Sequence, residues 1–262
     1  MKNKKELKNK KFFVLDMDGT FYLGNNLIEG SMEFIEKLKQ TGKGFMFFTN
    51  NSSRTSDYYI NKLASMGCVI NKDQIATSGD VTINFLKKYY SDKKIFLLAT
   101  QIVEDHFRES GIRLSKEDAD AVVLTFDMTI NYDKLTQACR LIRNGRDFIA
   151  SHPDFNCPTE DGFIPDCGAM CAFITASTGV KPKYLGKPYR ETVDFILDRT
   201  GLDISDIVFA GDRLYTDIAT AYNHGAAGLL VLSGETKAED LINSEIKPDF
   251  VFESLKDAAN AL

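Results

Sequence analysis

Two acids separated by one residue, Asp16 and Asp18, follow an unbroken apolar run from Phe12 to Leu15. Like charges at that spacing repel, and a divalent cation is the simplest device that offsets them. A second acidic pair, Asp212 and Asp217, stands in GDRLYTD after the apolar run Ile207 to Ala210. A third strand-like run, Gly44 to Phe48, ends in the polar cluster Thr49, Asn50, Asn51, Ser52, Ser53 and Arg54. Lys187, held between Gly186 and Pro188, offers a fixed positive charge. Magnesium takes hard oxygen ligands in a nearly octahedral shell and keeps some waters. Asp16, Asp212 and a main-chain carbonyl at Asp18 are the candidates for such a half-shell, with positions left for water and a phosphate oxygen.

These residues need elements that bring them to one place. Short continuous apolar runs suit strands buried on both faces of a parallel sheet. In an open α/β sheet, ligands gather outside the carboxyl ends of the strands, so neighbouring exits would share one pocket. Between the runs at 12–15 and 44–48, FYLGNNLIEG reads as an irregular excursion, and Phe34, Ile35 and Leu38 mark a helix over residues 31–40. Helices are also expected over 56–66 and after Ser78 or Asp80. A charged patch near 91–94 opens a second α/β pattern, with strands at 95–99, 121–126 and 148–150 and helices at 103–109, 132–143 and 169–175. The segment 151–168 reads as one long loop. Strands and glycine-acid signals of the first kind resume only late, at 207–210, 228–232 and 249–252. The expectation is a discontinuous core, 1–91 and 180–262, with a smaller α/β domain inserted at 92–179.

Composition narrows the class. The chain has 262 residues, 44% of them hydrophobic, enough to bury two moderate cores. No window approaches the ~20 apolar residues that span a bilayer, so no membrane partner is expected. The basic start MKNKKELKNKK runs into a strand without the apolar stretch of a signal peptide and reads as a solvated, partly disordered tail. Five cysteines without a CxxC pair fit a reducing, cytoplasmic setting. A net charge of -5 with no basic stripe beyond the start argues against a nucleic-acid polymer as partner. The motifs GxxxxGK[ST] and GxGxxG are absent, which removes P-loop and nicotinamide enzymes.

Together the motifs resemble the haloacid dehalogenase superfamily of phosphotransferases. DMDGT at 16–20 is similar to its first motif, Thr49 after GFMFF to its second, Lys187 in GKP to its third and GDRLYTD at 211–217 to its fourth. FFTNNSSR at 47–54, TSGD at 77–80, HPD at 152–154 and AAGLLVLSGET at 226–236 resemble the branch with a class IIA cap, which contains nitrophenylphosphatase-like and nucleotide phosphatase-like hydrolases. The resemblance implies an α/β fold: a Rossmann-like parallel-sheet core with an inserted smaller cap domain. It implies Mg2+-dependent hydrolysis of a small phosphorylated metabolite through an aspartyl-phosphate. Asp16 would be the nucleophile, Asp18 the general acid and then base, Thr49 a hydroxyl donor and Lys187 the charge-neutralising cation. Asp212 would complete the metal shell and Asp217 support it. Nucleoside monophosphates, sugar phosphates, phosphoglycolate, glycerol phosphate and pyridoxal phosphate are all open as substrates, and a homodimer through the cap is compatible with the branch.

Other readings stand beside these roles. Asp217 is also a suitable first-turn helix acid. Asn50 and Asn51 are expected to touch substrate or to cap the following helix. His152 occupies the place where the branch usually has Asn, which leaves contact with the leaving group or a structural hydrogen bond. His106 and His224 read as surface or capping residues. A haloalkanoate dehalogenase would use the same nucleophile but needs neither Asp18 nor a metal, and a non-catalytic binding protein would lack part of the motif set.

Overall fold

The computed structural model describes residues 4–159 and 161–262. Its contacts divide the chain into two compact units, residues 1–49, 60–76 and 193–262 in one, and 50–59 and 77–192 in the other.

The first unit is built on a six-stranded sheet. Its order is Phe250–Phe252, Ala227–Val231, Ile207–Gly211, Phe12–Leu15, Gly44–Thr49 and Ile75–Thr77. The Phe12–Leu15 strand pairs in parallel with both Ile207–Gly211 and Gly44–Thr49. It is central because Phe13, Val14 and Leu15 are buried on both faces. The chain fills the sheet on one side of this strand first and returns later to fill the other. That places a topological switch between Phe12–Leu15 and Ile207–Gly211. Helix Ser31–Gln40 covers the sheet with Phe34, Ile35 and Leu38, as the spacing predicts, and Phe34 meets Phe13 edge to face at 5.8 Å. Each such side chain contributes roughly 1.5–3 kcal/mol by burial.

Two expectations for this unit are corrected. Lys4–Asn9 is a 3-10 helix anchored by a fully buried Leu7, so an apolar side chain outweighs the flanking lysines; residues 1–3 of the expected tail lie outside the described residues. The excursion after Thr20 is a small antiparallel pair, Tyr22–Leu23 with Asn26–Leu27.

The second unit has a five-stranded parallel sheet in the order Lys183–Tyr184, Asp147–Ala150, Ala121–Leu124, Lys94–Leu98 and Arg113–Leu114. Helix Tyr132–Arg143 is capped by Asn131, whose side chain accepts from the Lys134 amide at 2.9 Å. Helix Cys167–Thr178 is capped by Asp166. Both pack on the sheet through Ala138, Leu141, Ile142, Cys171 and Ile174. The segment expected as one loop contains an antiparallel hairpin, Asn156–Thr159 with Gly162–Pro165, with Glu160 outside the described residues. The division by contacts assigns residues 50–59, 77–91 and 180–192 to this unit, where the sequence suggested the core. One cause is Lys183–Tyr184, a two-residue strand too short to carry a hydrophobic period, which pairs with Asp147–Ala150. Among the described residues no helix is long and apolar enough to cross a membrane.

Candidate active site

The first unit gathers its acids at the switch point. Asp16 directly follows the Phe12–Leu15 strand and its amide donates to the Ala210 carbonyl at 2.8 Å, which ties it to the neighbouring strand that delivers Asp212. Carboxylate oxygens of Asp16, Asp212 and Asp217 lie within 4.8 Å of one another. Thr49 ends Gly44–Thr49 at the same edge, two residues past Phe47, the register partner of Leu15.

Asp212 is held hard. Its Oδ2 accepts from the Glu235 amide at 2.7 Å and its Oδ1 from the Thr20 hydroxyl at 3.3 Å. A Cβ added to Gly19 or Gly234 would stand 2.4 Å or 2.0 Å from Asp212 Oδ2, so both segments approach as closely as glycine allows. Gly19 also has a left-handed φ of 81°, which a side chain would strain. Burial and the neighbouring Asp217 charge push the Asp212 carboxyl up to about 6. A nearby cation would offset that repulsion, and hard oxygens on three carboxylates are the donor set that Mg2+ takes. The residues present therefore fit the metal that the sequence suggests.

Asp217 sits on Leu214–Ile218, a π-helical turn leading into helix Ala219–His224. Its Oδ2 accepts from the Arg213 amide at 3.2 Å. The wide turn sets Asp217 against the strand, with Gly211 beneath it, and takes it out of the exposed first-turn position that a regular helix would offer. Asp18 keeps exposed surface, yet partial burial of its carboxyl raises it above the ordinary range. Lys62, Arg213 and the Tyr22 hydroxyl pull the other way. Lys62 lies 4.0 Å from the centroid of the Tyr22 ring. Neither Lys62 nor Tyr22 was legible as a site residue, because each belongs to an ordinary helical or turn pattern. Thr20, Gly234 and Glu235 do lie in the quoted DMDGT and SGET stretches.

The second unit gathers the other predicted residues. Asn50 is buried; its side-chain amide donates to the Lys187 carbonyl at 3.0 Å and its Oδ1 accepts from the Lys187 amide at 2.9 Å. The same amide nitrogen reaches the Asp154 carboxylate at 3.2 Å. Lys187 is thus fixed through its backbone, and it is only 3% exposed. Asn51 turns its Oδ1 to the Ser53 amide and hydroxyl at 3.0 and 2.7 Å, an Asx turn in the loop ahead of helix Ser56–Ser65. His152 is fully buried, with Nε2 at 2.9 Å from Asp166 Oδ1 and Nδ1 at 2.9 Å from the Ser151 hydroxyl. These are structural hydrogen bonds, one of the two readings that the sequence leaves open for His152. His106, expected at the surface, donates from Nε2 to Asp80 at 3.1 Å.

A parallel sheet with three carboxylates gathered at its switch point defines a class, and comparison with known proteins names it. Residues 13–113 match the family described as haloacid dehalogenase-like hydrolase, and residues 184–258 match a second, HAD-hydrolase-like family. The chain belongs to the haloacid dehalogenase-like hydrolases. Within them it stands in the class IIA, nitrophenylphosphatase-like branch and is an enzyme of the phosphatase type. It is 34% identical over 249 residues to the 5'-nucleotidase YutF of Bacillus subtilis, covering 95% of this chain and 97% of that one. An acid sugar phosphatase of Staphylococcus haemolyticus is 33% identical over 257 residues, covering 98% of both. The crystal structure of a 4-nitrophenylphosphatase from Thermotoga maritima superimposes with a TM-score of 0.94 at 45% identity, covering 97% of this chain and 98% of that one.

Proposed function

We propose that this enzyme is a Mg2+-dependent phosphomonoester hydrolase of small phosphorylated metabolites, working through an aspartyl-phosphate on Asp16. The observation that carries the metal is the convergence of Asp16, Asp212 and Asp217 within 4.8 Å at the strand exits. Asp16, Asp212 and the Asp18 carbonyl would hold Mg2+, with Asp217 orienting them. When bound, the ion offsets the carboxylates and draws negative charge off the phosphoryl oxygens.

The residues of the chain then divide the work. An Asp16 oxygen attacks phosphorus, the bond to the leaving oxygen breaks, and Asp18 gives that oxygen its proton. The raised carboxyl of Asp18 suits it to carry a proton there. In the second half, Asp18 takes a proton from water, whose oxygen attacks the phosphorus of the acyl phosphate, freeing Asp16 and inorganic phosphate. Thr49 donates its hydroxyl to the phosphoryl oxygens and Lys187 supplies a fixed positive charge, both worth most in the transition state, where the oxygens are most charged.

Residues 92–179 serve in this proposal as the cap that sets the leaving group and offers a surface for a homodimer. Five free thiols suit a reducing cytoplasm. The test is phosphate release from a panel of phosphorylated metabolites that includes nucleotides and sugar phosphates, since relatives are named for both. Turnover with Mg2+ that EDTA abolishes, and that Asp16→Asn lacks, supports the proposal; release that is indifferent to EDTA and to Asp16→Asn sinks it.

A further inference from the structure

A buried polar hub stands beside the residues that hold Lys187. His152, Ser52, Ser78 and Ser151 are each fully buried. Around His152 Nδ1 lie the hydroxyl oxygens of Ser151, Ser78 and Ser52 at 2.9, 3.3 and 3.4 Å. On the other side Nε2 meets Asp166 Oδ1, which also accepts from the Cys167 amide at 2.6 Å and so caps helix Cys167–Thr178. The hub therefore joins the Asn50–Ser52 segment, the start of helix Ser78–Tyr89, the His152 loop and the Asp166 cap.

Hydrogen-bond accounting gives the hub a direction. Ser78 has one hydroxyl proton and donates it to the Asn50 carbonyl. Toward His152 it has only a lone pair, so the Ser78 contact is a hydrogen bond when Nδ1 carries a proton, which the nearer Ser151 hydroxyl then shares as acceptor. Nε2 faces a carboxylate and carries one as well. A proton at both positions makes the ring an imidazolium, the form that a pKa pushed up to about 9 favours: burial opposes the charge, and the charges of Asp166 and Asp154 with the Asp166 hydrogen bond outweigh it. From Asn50 the chain of contacts continues to Lys187 N and O and to the Asp154 carboxylate.

We infer that His152 is a positioning residue: Nδ1–H, shared by the Ser151 and Ser78 hydroxyls, orients Ser78, Ser78 holds the Asn50 carbonyl, and Asn50 fixes the backbone of Lys187. The inference rests on Lys187 being the cation that meets the phosphoryl group. It explains why a histidine with no exposed surface is spent at the entrance of this loop. Partly satisfied polar clusters in a core are costly, so the hub keeps one arrangement.

Side-chain isosteres separate positioning from packing. The amide nitrogen of Asn stands where histidine has Nδ1, and that of Gln stands where it has Nε2. His152→Asn keeps the donor toward Ser78, whereas His152→Gln keeps only the donor toward Asp166. The assay is Mg2+-dependent hydrolysis of p-nitrophenyl phosphate, with circular dichroism and Tm recorded for each variant. A displacement of about 1 Å at a charge-stabilising group costs up to about 100-fold, so Ser78→Ala and His152→Gln are expected to lose about 10- to 100-fold in kcat with KM within about threefold. His152→Asn should recover most of the turnover lost in His152→Gln. The double variant Ser78→Ala/His152→Gln should be no slower than the slower single one, because both break the same chain of contacts.

Folded Ser78→Ala with wild-type kcat, additive losses in the double variant, or Asn performing no better than Gln would each overturn the inference. Ser78→Ala keeps the test decisive if His152→Gln does not fold. A wild-type chain that releases no phosphate overturns the phosphatase reading as well, whereas an active wild type with equally active variants overturns this inference alone.

Discussion

Gly234→Ala probes the seat of Asp212 with a single methyl group. Gly234 carries no left-handed φ, so its backbone accepts alanine and the effect is steric. The new Cβ would stand 2.0 Å from Asp212 Oδ2 and 2.5 Å from its Cγ, where ordinary contact begins near 3.4 Å. The carboxylate must retreat by about 1.4 Å or the loop must move as far, and near-attack geometry loses up to about 100-fold for a shift of 1 Å. Retreat also breaks the Glu235 amide bond at 2.7 Å, an amide-to-carboxylate contact worth about 1.5–3 kcal/mol. The assay is p-nitrophenyl phosphate hydrolysis titrated with Mg2+, beside a thermal melt. The half-saturating Mg2+ concentration should rise about 10- to 100-fold, as it does when residues that orient metal ligands are altered. A folded Gly234→Ala enzyme with wild-type Mg2+ response would show that Asp212 does not need this seat, and would refute the argument from close approach.

Other outcomes follow from the same geometry. Asp18→Asn should slow hydrolysis most for esters with poor leaving groups, and equal loss across a series of leaving-group pKa values would contradict its role as acid. The His106–Asp80 pair makes stability pH-dependent: the His106 value is raised by its hydrogen bond and the Asp80 value is net lowered against burial. The His106 contribution is complete below about pH 6.5 and fades as pH rises through its raised value, while the Asp80 contribution is lost below about pH 4. His106→Ala should therefore lower Tm more at pH 5.5 than at pH 8.5, by no more than a few degrees since solvent screens the half-buried pair to about 1 kcal/mol or less; equal losses at both values would refute the pairing. Leu7→Ala should cost about 2–5 kcal/mol in denaturant unfolding if the 3-10 helix is anchored as described, and a cost near zero would return the N-terminus to a loose tail.

What one chain of residues determined by itself was the set of strand exits. Continuous apolar runs such as Phe12 to Leu15 and Ile207 to Ala210 need burial on both faces, and the acids that follow them can only stand at the sheet's carboxyl edge. The helix over Tyr132–Arg143 was legible too, while the Asn131 cap that starts it was shown by the structure. Tertiary structure decided the rest. A two-residue strand such as Lys183–Tyr184 has no period to read and exists because Asp147–Ala150 offers an open edge. The π-helical turn that seats Asp217 and the fully buried ring of His152 depend on partners far away in sequence. Local pattern tells which side chains must leave water, but which polar groups they find there is set by packing across the fold.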